Sequence, residues 1–519
     1  MKIQRQGLLL GTMLLLISNI FVKGLGFAYR VILVRVLGAE GMGLVEMISP
    51  VFSFFLVIAG WGISLGMTKS IAEHSSRGDF GNAAGYLRAG MLMLATFGAV
   101  VTIAALLLVP PVMKYLVADQ RIYEALRLIL PAIFIVSLAS AYRGAFQGVR
   151  QVSVLGNSQA IEQTVRVALG IFLAGRFVQY GLPVAVSAVS VATLAGEAAG
   201  YLYIFYRWRR MRNYLLPPAA IPKNIWHYCR KLLRFGTPVT VTRIAATGIM
   251  MLQAFLIPFS LHMAGYDTRT ATELYGGFSG VALALLHLPG VFTAALSVSV
   301  MPAVAESLDA SKKKLLSHRI NNSLQAAAVF TLPGMMILYL FANQLCQWIF
   351  NNPASAVPLA VMALCGIFFY LQITLVSILQ GLGKVKIILL NTVISGLILL
   401  ISIYLLTSQP QLGVVGTAWA MNIFFLTSCL LNLFQVKRIT GVSLDMKNIF
   451  GKPFFSVSIS LLFYAATMKI LAVLGISKQQ KMTVTVMILL LLLVYFSVLI
   501  ITKGLSIGVW RRFTRRKRL

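Results

Sequence analysis

Apolar residues run in blocks of about twenty along this chain, separated by short stretches rich in charge, Pro or Gly, and twenty helical residues span a bilayer's hydrocarbon core. The blocks predict fourteen membrane helices, near 8–34, 44–68, 89–112, 128–148, 152–175, 183–206, 235–261, 277–301, 320–345, 357–380, 386–407, 413–436, 453–475 and 482–503. Blocks of that length make the expected class an all-α integral membrane protein. Composition agrees and excludes a soluble fold: 59% of the 519 residues are hydrophobic and 11% charged. Lys2 and Arg5 precede the first block as in a secretion signal, but no small-residue cleavage site follows, so the block reads as an uncleaved first helix.

The formal charge of +32 would suggest a nucleic-acid partner in a soluble protein, yet here the basic residues are sorted by loop. With the N-terminus placed in the cytoplasm, inside loops and tails hold 32 of the 45 Lys and Arg, outside loops hold 8, and Lys23, Arg30, Arg166, Arg243 and Lys469 fall within spans. That asymmetry predicts a multi-pass protein of a bacterial cytoplasmic membrane with both termini inside. The tail Arg511 to Arg518 is expected to grip anionic lipid headgroups, with no nucleic acid as partner.

The largest basic loop follows the sixth span and contains Pro217, Pro218 and Pro222. The expected organisation is a six-helix bundle over 1–207, a basic linker over 208–234, a second bundle over 235–437, an appended helix pair over 438–503 and a basic tail over 504–519. An even number of spans brings the second bundle in with the orientation of the first, as parallel repeats require. Two matches support duplication: Ile71-Ala72-Glu73 resembles Val304-Ala305-Glu306, and Gln147-Gly148 matches Gln380-Gly381, both at an offset of 233 residues. Pro50 and Pro289 lie inside spans and either bend helices that rock or form static kinks.

Charge inside a membrane costs roughly 2.5–3.5 kcal/mol per residue on insertion scales, so it marks an aqueous interior or a pair. Lys23 and Arg30 lie seven apart, on one face of the first helix. Glu162 and Arg166 lie four apart and can pair on one face of the fifth. Glu46, Glu197, Arg243, Glu273 and His287 complete the set. The economical arrangement is a polar cavity in the first bundle, with cations for a phosphate and carboxylates that pair with them or exchange H+ or Na+. For Glu162 and Arg166 a structural ion pair is equally open, and Arg243 and Lys469 sit where a long side chain can snorkel. Candidate substrate-binding residues are Lys23, Arg30, Glu46, Glu162, Arg166 and Arg243. No catalytic residue, cofactor or metal is expected, because the five histidines and four cysteines lack ligand spacing and no Gly-rich phosphate loop is present. A secondary transporter driven by an ion gradient, the membrane potential or the substrate gradient fits better than an enzyme.

Lys23-Gly-Leu-Gly-Phe-Ala-Tyr-Arg30, then Val-Arg35-Val-Leu-Gly38-Ala-Glu-Gly41-Met-Gly43-Leu, with Arg143-Gly-Ala-Phe-Gln147-Gly148, Asn157-Ser-Gln-Ala-Ile-Glu162-Gln-Thr-Val-Arg166, Thr237-Pro238 and Thr242-Arg243, resemble the polysaccharide-exporter and lipid II flippase branch of the MATE-like superfamily. The resemblance covers essentially the whole chain. It implies two lobes that alternate between inward-open and outward-open states, and a tail groove at the appended helices. It implies as cargo lipid II or a similar undecaprenyl-pyrophosphate-linked glycan, moved outward for peptidoglycan, that of the spore cortex included. Membrane lipids, cell-wall glycosyltransferases and penicillin-binding proteins are the implied partners. Where lipid II flippases carry arginines in the second and eighth helices, this chain has Phe54-Phe55-Leu56 and Leu283-Ala284-Leu285. Two alternatives stay open: a cation-coupled multidrug antiporter of the same fold, and a non-transporting scaffold for cell-wall synthases.

Overall fold

The computed structural model describes residues 8–116, 119–215, 224–307, 313–473 and 480–504. Parts of the expected basic linker (216–223) and tail (505–519) therefore lie outside the described residues. The described chain is helical, and no strand occurs in it.

Two compact units divide the chain. The first comprises Met1–Gly280 with Ile403–Gly413. It contains α1 (Leu8–Gly60), α2 (Ile63–Ser76), α3 (Phe80–Leu116), α4 (Tyr123–Ile129), α5 (Ala132–Gly148), α6 (Val152–Phe177), α7 (Leu182–Leu215), α8 (Ile225–Met263) and α9 (Thr268–Gly276). The second comprises Val281–Ser402 with Val414–Leu519. It holds α10 (Leu283–Leu286), α11 (Gly290–Ala305), α12 (Lys313–Leu340), α13 (Ala342–Phe350), α14 (Ala356–Gly381), most of α15 (Val385–Thr407) and α16 (Gly413–Thr440), α17 (Lys452–Val473) and α18 (Lys481–Ile501). The division falls at Gly280, later than the 208–234 loop of the sequence reading. Its cause is that α8, expected to open the second bundle, packs on α1, α2 and α3 of the first unit.

Length and apolarity qualify 11 described helices to cross a membrane, or 12 if the pair Thr268–Leu286 and Gly290–Ala305, bent by 56°, is one span. Fourteen were expected, and two features account for the lower count. The first two expected spans run together as α1, broken only where Gly38 takes φ 72° and ψ 179°, a conformation open to Gly because it has no Cβ. The expected span at 152–175 exists as α6 but carries Glu162 and Arg166, and it is absent from the qualifying helices. Pro289 caps α11 at the bend of the broken pair, and a π-helical turn at Gly277–Ala282 precedes α10 on the other side of that bend. Pro50, by contrast, lies within α1.

Each unit repeats one close helix contact. A Cβ on Gly148 of α5 would lie 2.9 Å from Ile71 Cβ of α2, and a Cβ on Gly381 of α14 would lie 3.0 Å from Val304 Cβ of α11. These are the residues matched in the sequence at an offset of 233. The core of the first unit gathers Ile63, Met67, Ile71, Phe146, Trp208 and Tyr228 around this contact. That of the second gathers Val304, Leu324, Leu371, Ile378 and Val436.

Candidate functional site

Four charged side chains meet inside the first unit. Arg166 Nη2 donates to Glu162 Oε1 at 2.8 Å, the i,i+4 pair that the spacing predicts, and also to Glu197 Oε1 on α7 at 2.6 Å. Arg143 Nη2 on α5 donates to Glu162 Oε2 at 2.8 Å. Two guanidinium groups and two carboxylates thus form a neutral cluster across three helices. Each of the four side chains is between 9% and 22% exposed, so these charges are largely desolvated and need one another.

The helices come together here because small residues allow it. A Cβ on Gly196 would lie 2.8 Å from the Glu162 carbonyl oxygen and one on Gly200 3.0 Å from Glu162 Cβ, which seats α7 directly on the charged face of α6. Ser158 Oγ donates to the Gly200 carbonyl at 3.0 Å along the same seam.

A cavity of about 300 Å³ opens beside the cluster. Arg166, Glu197, Ser190, Thr193, Ser49 and Tyr29 give it polar wall, and Leu33, Ile48, Phe52 and Val189 give it apolar wall. On two of these residues, Glu197 Oε2 and the Tyr29 hydroxyl are buried without a hydrogen-bond partner.

A second pair closes across the Gly38 break. Arg30 Nη2 lies 2.5 Å from Glu46 Oε1, and Arg30 Nη1 donates to the Ser279 carbonyl at 3.4 Å. Ser279 Oγ donates to Glu46 Oε2 at 3.1 Å. Positions 46 and 279 are themselves 233 apart, so the offset that relates the two halves of the sequence also joins this contact.

A third cluster lies beyond the break. Glu40, 8% exposed, accepts from Arg121 at 2.6 Å and from Arg269 at 2.9 Å. Asp119 accepts from Arg121 at 2.7 Å and from Thr272 Oγ1 at 2.8 Å. Burial alone would raise the Asp119 carboxyl, but hydrogen bonds from Arg121 and Thr272 outweigh it and hold that group below its ordinary value.

The six sequence-predicted residues therefore separate. Glu162 and Arg166 share one cluster, and Arg30 and Glu46 share another. Lys23 shares the Arg30 face of α1 but is exposed, and Arg243 is exposed on α8. Two residues of the main cluster were missed as site residues. Arg143 read as a loop charge because it sits near the end of its span, and Glu197 stood 31 positions from Arg166 with no local spacing to join them. Tyr29, between Lys23 and Arg30, carried no signal beyond its neighbours. Of the remaining intramembrane candidates, Glu273 is exposed and His287 packs edge-on against Phe369, with ring centroids 5.3 Å apart.

A family model described as "Polysaccharide biosynthesis protein" matches residues 8–308, more than half of the chain. The chain belongs to that family. A second model, described as "MatE", matches residues 278–406. Stage V sporulation protein B of Bacillus subtilis (strain 168) is 28% identical over 448 residues, covering 85% of this chain and 86% of that protein. Lipid II flippase MurJ of the same organism is 23% identical over 458 residues, covering 84% of each chain. A solved structure described as "Lipid II flippase MurJ, inward closed conformation" has a TM-score of 0.69 at 16% identity, covering 95% of this chain and 99% of that one, and shows the shared fold. The chain is accordingly a many-span membrane protein of the exporter and flippase type, a transporter and not an enzyme.

Proposed function

We propose that this chain moves an undecaprenyl-pyrophosphate-linked glycan, lipid II in the first instance, outward across the cytoplasmic membrane by alternating access. The observation that carries the reading is Arg166, which faces a cavity of about 300 Å³ within the helix bundle while held between two carboxylates. A pyrophosphate entering the cavity can take over a guanidinium that Glu162 and Glu197 now share, and charge-assisted bonds to phosphate are among the strongest available in a dry site. Lys23, exposed on the same helix face as Arg30, is a first contact for the headgroup before it reaches Arg166, with Arg30, Glu46 and Arg243 as secondary groups. The names of the Bacillus relatives support lipid II and a sporulation setting. Cell-wall glycosyltransferases and penicillin-binding proteins are the proposed consumers outside, and the Lys and Arg distribution supports cytoplasmic placement of both termini.

The test is surface exposure of lipid II, read by an externally added enzyme that cleaves it, in cells whose own flippase is shut off and which express this chain. Restored cleavage that disappears with Arg166→Ala supports the reading. Lipid II that stays inside, with the chain confirmed in the membrane, rejects it as cargo. The match of residues 278–406 to the MatE model favours a cation-coupled multidrug antiporter as second reading. Drug-resistance profiles of the same cells separate the two.

A further inference from the structure

Glu197 is 7% exposed, and its two oxygens have different surroundings. Oε1 accepts from Arg166 at 2.6 Å, whereas Oε2 is buried without a hydrogen-bond partner and belongs to a side chain that lines the cavity. Leaving a buried polar atom without a partner is unfavourable, and more so for a charged group. Tyr29, 9% exposed, also belongs to the lining, but its unpartnered hydroxyl is packed against Gly170 of α6. Three residues of the cavity lining, Glu197, Tyr29 and Arg166 through its Nε, thus each keep a buried polar atom without a partner, and of these only Glu197 Oε2 belongs to an ionisable acid whose charge would be left uncompensated on that side.

The groups facing Glu197 decide what its unpartnered oxygen can take up. From α6 come Arg166 and Glu162, from α5 Arg143 and from α1 the neutral Tyr29, while α4 contributes the apolar Ile129 to the cavity wall. A sodium ion at Oε2 would sit beside the Arg166 guanidinium on the same carboxylate, with Coulomb repulsion hardly screened in a buried site. A proton needs no coordination sphere and converts the buried, unpartnered oxygen to a neutral O–H. We propose that Glu197 Oε2 is a proton-binding site, and that a proton taken up there from solution switches the cluster of Arg143, Glu162, Arg166 and Glu197 from neutral to a single positive charge. A positive cluster binds an anion better than a neutral one, and linkage then requires that a bound anion favour the proton in turn. The proton site itself depends on no assignment of cargo, so it stands or falls separately from the flippase reading.

The experiment is infrared difference spectroscopy of the purified chain in lipid nanodiscs, taken between alkaline and acidic buffer without any cargo. A protonated-carboxyl band that shifts in heavy water is expected in the native chain. It should be lost in Glu197→Gln and retained in Glu73→Gln, an exposed carboxylate of α2 that serves as control. Glu197→Asp keeps an acid in place and should move the band without abolishing it, which keeps the test open if the glutamine variant fails to fold. An undiminished band in a folded Glu197→Gln, or no band in the native chain, overturns the proposal. Sodium that erases the band at constant pH overturns it too, by reassigning the site to a metal cation.

Discussion

Gly148 of α5 and Ile71 of α2 approach until a Cβ on the glycine would lie 2.9 Å from Ile71 Cβ, and Gly381 and Val304 repeat the arrangement at 3.0 Å in the other unit. A methyl group at either glycine must displace a buried β-branched side chain or push the paired helices apart, and overpacking of that kind costs about 1–3 kcal/mol. Gly148→Ala and Gly381→Ala should therefore each lower the thermal midpoint of the purified protein. Gly383→Ala, where an added Cβ would meet nothing within 4 Å but φ is +70°, provides a control for backbone strain alone. Equal midpoints for native, Gly148→Ala and Gly381→Ala would show that the two contacts are loose.

Arg143 anchors Glu162 from α5 while Arg166 holds it from α6. If Arg143 only positions Glu162, Arg143→Lys should keep a charge there and retain most transport, whereas Arg143→Met should reduce it severely with the chain still in the membrane. Arg166→Ala should abolish transport while leaving membrane insertion intact. Lipid II cleavage from outside, normalised to the amount of inserted chain, measures all three. Transport by Arg166→Ala at the native rate would assign that arginine to structure alone.

The fold was readable because hydrophobic block length is a local property, and the bilayer tolerates few solutions to it. The boundary of α6 at Val152, the break near Pro289 and the i,i+4 pair of Glu162 and Arg166 all follow from residues close in sequence. What the sequence left hidden depends on contacts between distant residues. Arg166 and Glu197 meet across 31 positions because Gly196 and Gly200 let α7 settle onto α6, and nothing in the spacing of either charge announces that. Arg30 likewise looked free for a phosphate. Its partner Glu46 lies beyond Gly38, whose left-handed φ brings the two halves of α1 into register.

Removing one member of the Arg30 and Glu46 pair strands the other, and for fully buried pairs that costs about 3–5 kcal/mol. The Arg30 side chain is 32% exposed, so solvent screening brings the expected loss well below that range. Arg30→Met and Glu46→Met should each lower the thermal midpoint, and the double variant should recover some of the loss because no charge is left unpaired. A double-mutant cycle on the purified chain gives the coupling. Additive losses would mean that the two groups do not act on each other.

Asp119, a buried carboxylate outside the spans, is one source of acid sensitivity in the fold. Its folded-state carboxyl is held below the ordinary value of about 3.9 by Arg121 and Thr272, despite burial that pushes the other way. A carboxylate with a depressed folded pKa contributes stability that is complete above the unfolded pKa and fades as pH falls through the folded one. The native chain should thus lose thermal stability as the buffer is taken from mildly acidic into strongly acidic conditions. Asp119→Asn cannot titrate, so it should be less stable than native at neutral pH and should show a shallower acidic decline. Arg121 also bonds Glu40 at 2.6 Å, so that arm of the cluster persists in the variant and global unfolding at neutral pH is not expected. Parallel acid profiles for native and Asp119→Asn would remove Asp119 as a source of acid sensitivity and leave the other carboxylates to account for it.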